Sequence, residues 1–329
     1  MKVRLFFHGR CFDGAASASV FTRFYRACQR SDAEFTYTGL AHRASQLFDE
    51  NLFDGNENGI VDFKYSPSPR LHWWFDHHQS AFLTPEDAAH FRRDQSGKKF
   101  YDPTFRSCTK LIATVGKEKF GFDTTDLDEL VHWADVVDGA MFQDAETAVT
   151  MQAPALQLTL VIEADAEGAL TQWLISHMAQ RPLAELAAEE RIASRFRVLF
   201  DQHLRSVEFI RKNGRCENGV IFFDLTGPKI EVYNKFAPYY LFPDCLYSVS
   251  VCPSSFRTKI SVGSNPWKKA AALHNLATIC ERYGGGGHAR VGAVSLEPGC
   301  LEKARDIAQE IVAELQAPPS ADGSERPTA

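Results

Sequence analysis

The sequence lacks an apolar run of the roughly 20 residues that a membrane-spanning helix needs. It also lacks an excess of basic residues, since 36 Lys and Arg stand against 42 Asp and Glu, giving a net charge of −6. Proteins that hold long nucleic acids usually carry a positive field. The charge balance therefore argues against a stable complex with long nucleic acid, and no membrane partner is expected.

The eight cysteines are scattered and show no paired spacing of the zinc-finger kind. The sequence starts directly with a predicted strand, so we expect no targeting peptide. Reduced thiols in a cytoplasmic protein are the simplest interpretation. A chain of 329 residues usually forms about two domains.

The most informative motif is Asp76-His77-His78, which ends the apolar run Leu71-His72-Trp73-Trp74-Phe75. Such a run is typical of a buried strand, and α/β proteins bind ligands at the carboxyl ends of their strands. Successive side chains of an extended chain point to opposite sides. One of the two imidazoles can therefore bind a metal while the other faces a substrate.

Three further strand-like runs also end near an acid. Residues 2–7 lead into His8 and Asp13, residues 59–61 into Asp62, and residues 131–134 into Asp135, with Asp138 close behind. Any one of these acids could be a helix cap or a loop carboxylate. Their shared position favours a divalent-cation site, because carboxylates and imidazoles from several strand ends can converge on Mn²⁺ or Mg²⁺.

With these motifs in this order, the chain resembles the DHH phosphoesterases. Near the other end, Tyr283-Gly284-Gly285-Gly286-Gly287-His288 resembles the Gly-Gly-Gly-His signature of the C-terminal domain associated with that family. The resemblance spans most of the chain. It implies hydrolysis of phosphoester or phosphoanhydride bonds with one or two metal ions, most often Mn²⁺, with Mg²⁺, Fe²⁺ and Zn²⁺ as alternatives.

The resemblance also implies roles for individual residues. Asp62 would bridge two metals, and His78 would be the catalytic histidine that faces the scissile phosphate. Asp135 is the best match for the last acid, with Asp138 as the competing choice. The implied metal ligands are His8, Cys11, Asp13, Asp62, His77 and Asp135.

Cys11 is the main departure from the family pattern. The family often has an acid two residues before the position of Asp13, whereas this chain follows a His-x-x-Cys-x-Asp-Gly pattern from His8 to Gly14. As a thiolate ligand, Cys11 would favour a softer ion such as Zn²⁺ or Fe²⁺. As a small buried residue, it would leave the first metal site weak.

The C-terminal motif predicts a substrate-binding segment. Glycines before a histidine allow the backbone to approach a phosphate closely. Many family members have an Arg where Gly263 stands, and Arg290 could supply the missing guanidinium for a bidentate phosphate contact. The candidate substrate-binding residues are Gly285, Gly286, Gly287, His288, Arg290 and Asn265.

The pattern of apolar runs predicts an α/β fold. Residues 1–185 should form a parallel-sheet DHH domain with flanking helices. Residues 186–214 should form a helical connector, built on a long amphipathic helix from 182 to 212 that ends at Asn213-Gly214. Residues 215–316 should form a smaller α/β domain, with a disordered tail at 317–329.

The expected function is a metal-dependent phosphoesterase acting in an interdomain cleft on small substrates. These include a short oligonucleotide, a nucleotide bisphosphate, a cyclic dinucleotide or a polyphosphate. A single-strand exonuclease is one alternative, and a non-catalytic nucleotide-binding regulator is the other. The sequence is also compatible with a homodimer.

Overall fold

The structure is a computed structural model in which residues 1–41, 48–227, 230, 232–270 and 272–319 are described. The chain divides into two compact units, here called unit 1 and unit 2. Unit 1 comprises Met1–Phe142 and Met151–Leu199, and unit 2 comprises Gln143–Thr150 and Phe200–Ala329. Within the described ranges, no helix has both the length and the apolar character needed to cross a bilayer. Most of the predicted disordered tail lies outside the described residues.

Unit 1 is built on a five-stranded sheet in which every pairing is parallel. Its strands are β1 (Lys2–His8), β2 (Glu34–Leu40), β3 (Glu57–Val61), β4 (Trp73–Asp76) and β5 (Lys99–Tyr101). The spatial order is β2-β1-β3-β4-β5, so β1, β3 and β4 are direct neighbours. Because they are parallel, their carboxyl ends meet at one edge of the sheet, where the candidate ligands lie.

Nine α-helices are described between residues 12 and 213, most of them in unit 1. Those up to residue 213 are α1 (Phe12–Cys28), α2 (Pro85–Arg93), α3 (Cys108–Phe120), α4 (Asp128–Asp138), α5 (Ala145–Thr150), α6 (Pro154–Ala164), α7 (Ala169–Ile175), α8 (Leu183–Ala188) and α9 (Glu190–Asn213). Along β4, Trp73 and Phe75 pack in the core that contains α1 and α3, whereas Trp74 packs in a second cluster. This alternation follows from the two-residue period of a strand.

Two sequence predictions are corrected here. Residues 131–134 are not a strand that leads into Asp135, because they lie inside helix α4. Leu127, Leu130 and Ala134 are all buried at helical spacing, and this longer period outweighs the short apolar run. In addition, the predicted connector is two helices, since Glu189 separates α8 from α9.

Unit 2 contains a six-stranded sheet in the order β10-β11-β9-β8-β7-β6, in which only β7 and β8 are parallel among the described pairings. Its strands are β6 (Arg215–Glu217), β7 (Val220–Asp224), β8 (Tyr247–Pro253), β9 (Thr258–Ser264), β10 (Gly286–His288) and β11 (Val291–Leu296). Its remaining helices are α10 (Ala237–Leu241), α11 (Leu276–Glu281) and α12 (Leu301–Gln316). The parallel sheet and this second, smaller α/β unit confirm the predicted fold class.

The cysteines also differ from expectation. Cys216 and Cys245 form a disulfide within unit 2, whereas the sequence predicted reduced thiols throughout. The other six cysteines remain thiols in the described part of the chain. A pair separated by 29 positions has no sequence signature, because only the fold brings β6 next to the segment before β8.

Candidate metal centre

The junction of β1 and α1 brings three candidate ligands close together. His8 ends β1, Cys11 stands just before α1, and Asp13 lies in the first helical turn. A Cβ atom at Gly14 would collide with the carbonyl oxygen of His8. Glycine is therefore required there, because the strand and the helix approach too closely for any side chain.

Asp62 lies directly after β3 with an unusual backbone conformation. Its φ angle is +56°, in the left-handed region that most residues with a side chain avoid. Its amide donates a hydrogen bond of 2.9 Å to the carbonyl oxygen of Phe75, and its side chain is fully buried. Backbone strain of this kind is concentrated at functional sites, where the surrounding structure maintains it.

The side chains converge in three overlapping groups of possible ligands, and the middle one, Asp62, His77 and His78, links the other two through Asp62 and His77. The His8 cluster consists of His8, Cys11 and Asp62, and its ligand atoms lie within 4.8 Å of one another. The His77 cluster consists of Asp13, His77 and Asp138, with the same spacing. One oxygen of Asp62, Oδ2, lies 3.6 Å from His8 Nδ1, and the other, Oδ1, lies 3.4 Å from His77 Nε2. Asp62, a member of the His8 cluster, thus also faces His77 of the second cluster.

Several buried polar atoms of this centre have no hydrogen-bond partner among the described residues. They include both carboxylate oxygens of Asp62, Oδ2 of Asp76 and Nε2 of His77. Unsatisfied buried groups are costly, and a native structure keeps few of them. The donor set is of the type that binds divalent ions, so the residues fit a metal.

The charges of the centre shift the pKa values of its residues. Burial alone lowers the pKa of His77, but the carboxylates of Asp62, Asp13 and Asp138 reverse this and raise it to about 10. Burial and the charge of Asp62 raise the pKa of Asp138 to about 6. Burial, aided by Asp62 and Asp13, also raises the pKa of the Cys11 thiol well above its usual value.

The pKa of Asp62 shifts in the opposite direction, below its usual value. Burial by itself raises its pKa, but the facing imidazoles of His77 and His8 outweigh burial and hold the pKa below its usual value. Asp13 follows the more common pattern, since burial and the charges of Asp62 and Asp138 raise its pKa well above normal. Without a cation, the raised pKa values of Asp13, His77 and Asp138 therefore keep protons on the His77 cluster, and a bound divalent ion would displace them.

The sequence predicted Asp135 as the last acid, with Asp138 as the competing choice, and the structure separates their environments. Asp138 Oδ2 lies 3.4 Å from His77 Nε2. Asp135 instead accepts hydrogen bonds from Ser107 Oγ at 2.6 Å and from Lys110 Nζ at 2.9 Å. Both oxygens of Asp135 are therefore occupied, whereas Asp138 faces the ligand cluster.

His78 lies beside the cluster and is held by Asp76. Its Nδ1 lies 2.7 Å from Asp76 Oδ1, which also accepts a hydrogen bond from the amide of His77 at 2.8 Å. Burial lowers the pKa of His78, but Asp76 and Asp62 reverse this and raise it. Asp76 thus orients the ring, a role that the sequence analysis did not assign.

The predicted substrate-binding residues all lie in unit 2. His288 and Arg290 are exposed, and Gly286 has open space at its Cβ position. A Cβ at Gly285 or Gly287 would instead collide with backbone carbonyl oxygens of β11, so these two glycines serve the close β10–β11 packing.

Asn265 is committed to the fold of its own unit. Its side-chain amide donates to the carbonyl oxygens of Pro243 and Cys245, and its oxygen accepts from the amide of Trp267. Asn265 is 2% exposed, so its polar groups are already used within unit 2. Asn265 could contact a substrate only by giving up these bonds.

Sequence reasoning also missed the supports around the ligands. The amides of Cys108 and Thr109 donate to Asp13 at 2.7 and 3.0 Å, and Thr109 Oγ1 donates to it at 2.6 Å. The available signal was Ser107, a typical N-cap residue just before a helical pattern. A helix N-terminus at this point indicates an anionic partner.

Comparison with known proteins shows the fold. The sequence matches no protein-family model and no curated protein. The structure is similar to a pGpG-specific phosphodiesterase, PggH, from Vibrio cholerae, with 17% identity over 96% of this chain and 99% of that chain and a TM-score of 0.69. It is also similar to RecJ from Thermus thermophilus in complex with Mn²⁺, with 11% identity over 97% of this chain and 53% of RecJ and a TM-score of 0.55. The motif-based resemblance to the DHH phosphoesterases is thus confirmed at the level of the fold.

Proposed function

We propose that the protein is a metal-dependent phosphoesterase of the DHH family that hydrolyses small nucleotide-type substrates. The observation that carries this proposal is the buried carboxylate of Asp62, which belongs to the His8 cluster, also faces His77 and lacks a hydrogen-bond partner within the described ranges. Each of its oxygens faces a different imidazole. This is the arrangement expected of a carboxylate that bridges two cations.

We assign the metal ligands from this geometry. The first metal position would use His8, Cys11 and Asp62. The second would use Asp13, Asp62, His77 and Asp138, with Asp138 in place of Asp135. Mn²⁺ is the expected ion, because oxygen and imidazole donors predominate. A bound divalent ion would lower the pKa of a water molecule and supply hydroxide near neutral pH.

Two hydrogen bonds orient the imidazoles of His77 and His78 around the proposed metal positions. His77 Nδ1 lies 3.1 Å from the carbonyl oxygen of Phe105, which can only accept a hydrogen bond. The Nδ1 atom must therefore carry a hydrogen, which leaves Nε2 as the ligand atom. His78, held by Asp76, would donate to a phosphoryl oxygen as negative charge develops on it.

The fold and the charge of the chain guide the choice of substrate. The structural match with the pGpG-specific phosphodiesterase covers almost all of both chains. The match with RecJ covers only about half of RecJ. The net charge of −6 offers no broad positive field for a long strand. We therefore infer that the substrate is a short phosphorylated nucleotide rather than a long polymer.

The proposal is tested by a hydrolysis screen with added Mn²⁺. We expect turnover of pGpG and other short RNA dimers, pAp, cyclic dinucleotides or polyphosphate, and loss of turnover with EDTA. Long single-stranded DNA serves as the comparison, because rapid, salt-sensitive degradation of it would favour an exonuclease. Metal binding without hydrolysis of any of these substrates would contradict an enzyme and favour a regulator.

His288 provides a separate prediction. If this exposed histidine contacts the substrate from unit 2, His288→Ala should raise KM about tenfold while leaving the metal content unchanged. The expected size follows from the loss of one or two hydrogen bonds to a charged group. Steady-state kinetics and elemental analysis of the same sample measure both quantities.

A matched control for His288 is His132, which lies in α4 of unit 1 and outside both clusters. His132→Ala should leave KM and metal content at the wild-type values. A loss of bound metal in His288→Ala would contradict the assignment of His288 to the substrate.

A further inference from the structure

The segment from Phe105 to Thr109 follows β5 and includes the first two residues of α3. It contains none of the proposed metal ligands. It nevertheless contacts two of the ligands of the second metal position directly. The carbonyl oxygen of Phe105 lies 3.1 Å from His77 Nδ1, and the amides of Cys108 and Thr109 donate to Asp13. This segment therefore sets both the tautomer of His77 and the orientation of Asp13.

The segment reaches Asp138, another of the four proposed ligands of this position, only indirectly. Asp135 and Asp138 are three residues apart in α4, so their side chains lie on the same face of the helix. Asp135 is 8% exposed, and its Oδ1 atom accepts a hydrogen bond of 2.6 Å from Ser107 Oγ. The last turn of α4 is thereby attached to the start of α3.

Ser107 is fully occupied by this arrangement. Its hydroxyl donates its single hydrogen to Asp135 and accepts the amide hydrogen of Lys110 at 3.2 Å as the N-cap of α3. Ser107 is completely buried, so water does not compete for these bonds. The second oxygen of Asp135 pairs with Lys110, whose side chain is 47% exposed. Because a half-exposed ion pair contributes little, the Ser107 bond is the stronger attachment.

We propose that Ser107 and Asp135 are positioning residues that hold Asp138 at the second metal position. This inference rests on the proposed function, since it takes Asp13, Asp62, His77 and Asp138 as ligands. Asp135 orients the helix that carries the ligand and does not bind the metal itself.

The test is Mn²⁺ binding to purified protein, measured by calorimetry without substrate. Asp135→Ala should weaken binding at one of two sites by about 10- to 100-fold, the usual effect of removing a partner behind a metal ligand. Asp135→Asn keeps an oxygen that can accept from Ser107 and should bind within about threefold of wild type. Ser107→Ala breaks the same bond from the other side and also removes the N-cap of α3, so it should weaken binding at least as much as Asp135→Ala.

Two controls isolate the effect. Lys110→Met removes only the partly exposed ion pair, and Asp128→Ala removes a carboxylate at the far end of α4; both should bind Mn²⁺ like wild type. The rise in melting temperature on adding Mn²⁺ is the second readout. A purely structural role would lower the melting temperature of Asp135→Ala in EDTA but preserve that rise.

The outcomes are distinguishable. Wild-type Mn²⁺ affinity at both sites in Asp135→Ala and Ser107→Ala would overturn the positioning role. An equal loss in Asp135→Asn and Asp135→Ala would overturn it too, because the charge rather than the bond to Ser107 would then matter. Absence of Mn²⁺ binding by the wild type would instead overturn the proposed function.

Discussion

Asp62→Asn should lower the turnover of the best substrate by at least about 1,000-fold. A loss of several kcal/mol of metal-borne transition-state stabilisation corresponds to a factor of this size. Asp62 faces both His8 and His77, so its replacement should weaken both of the proposed metal positions. Asparagine is nearly the same size and, like aspartate, tolerates a left-handed backbone, so the φ of +56° is retained.

The measurement is kcat at saturating Mn²⁺, together with elemental analysis and thermal unfolding in EDTA. The matched control is Asp54→Asn, which removes an exposed carboxylate paired with Arg4 and should retain wild-type turnover. Turnover near wild type in a folded Asp62→Asn protein would remove Asp62 from the centre.

The second large effect concerns pH. His77 has a pKa raised to about 10, so its imidazole is protonated at neutral pH in the absence of metal. A metal binds the neutral imidazole and must displace that proton, so affinity should fall about tenfold for each pH unit below 10. Between pH 8 and pH 6, His77 alone accounts for a loss of about 100-fold. Below pH 6 the fall should steepen, because Asp138, with a pKa of about 6, then also carries a proton.

Calorimetry in buffers of different ionisation enthalpy counts the released protons. At pH 8 the wild type should release at least one proton on binding Mn²⁺. A pH-independent affinity between pH 6 and 8 would contradict the assignment of His77 as a ligand.

The same measurement decides the role of Cys11. Its pKa is raised by burial and by the charges of Asp62 and Asp13, so the free thiol is protonated at pH 8. As a thiolate ligand it would release one proton more than Cys11→Ser in the same titration. Cys11→Asp should then shift the first metal position towards Mn²⁺. Equal proton counts and equal metal content in all three proteins would leave Cys11 with a packing role only.

The strand ends that form the centre were predictable from sequence because their signals are local. β1, β3 and β4 are short apolar runs that each end at or just before a His or Asp. Parallel pairing then places those ends together without further information. The Gly285–His288 motif was equally visible, although the packing of Gly285 and Gly287 under β11 needed the structure.

Local sequence signals could not decide whether Asp135 or Asp138 is the last candidate ligand. The apolar run 131–134 is too short to distinguish a strand from a buried helical turn by periodicity. Asp135 and Asp138 share one face of α4, and the packing of this helix beside Ser107 and His77 decides which acid contacts which residue. The contacts of Asp13 with α3 lie 95 and 96 residues apart in sequence, beyond any local pattern.

The course of α9 limits how the protein can be divided into fragments. This helix has 24 residues, and the boundary between the two units falls inside it, after Leu199. A fragment ending at residue 185, the boundary expected from sequence, would lack Ile192 and Leu199, both buried in the core of unit 1. Burying two such side chains stabilises a fold by about 3 to 6 kcal/mol, a large share of the roughly 5 to 15 kcal/mol that holds a domain together.

The same fragment would also carry α5, which belongs to unit 2. Asn234 donates a hydrogen bond to the carbonyl oxygen of Ala148, and His203 Nε2 lies 2.8 Å from that of Val149. Cutting between the units would leave these acceptors without their partners. The two halves therefore cannot be exchanged as separate modules, and a chimera with a protein of the same fold must keep residues 143–150 together with unit 2.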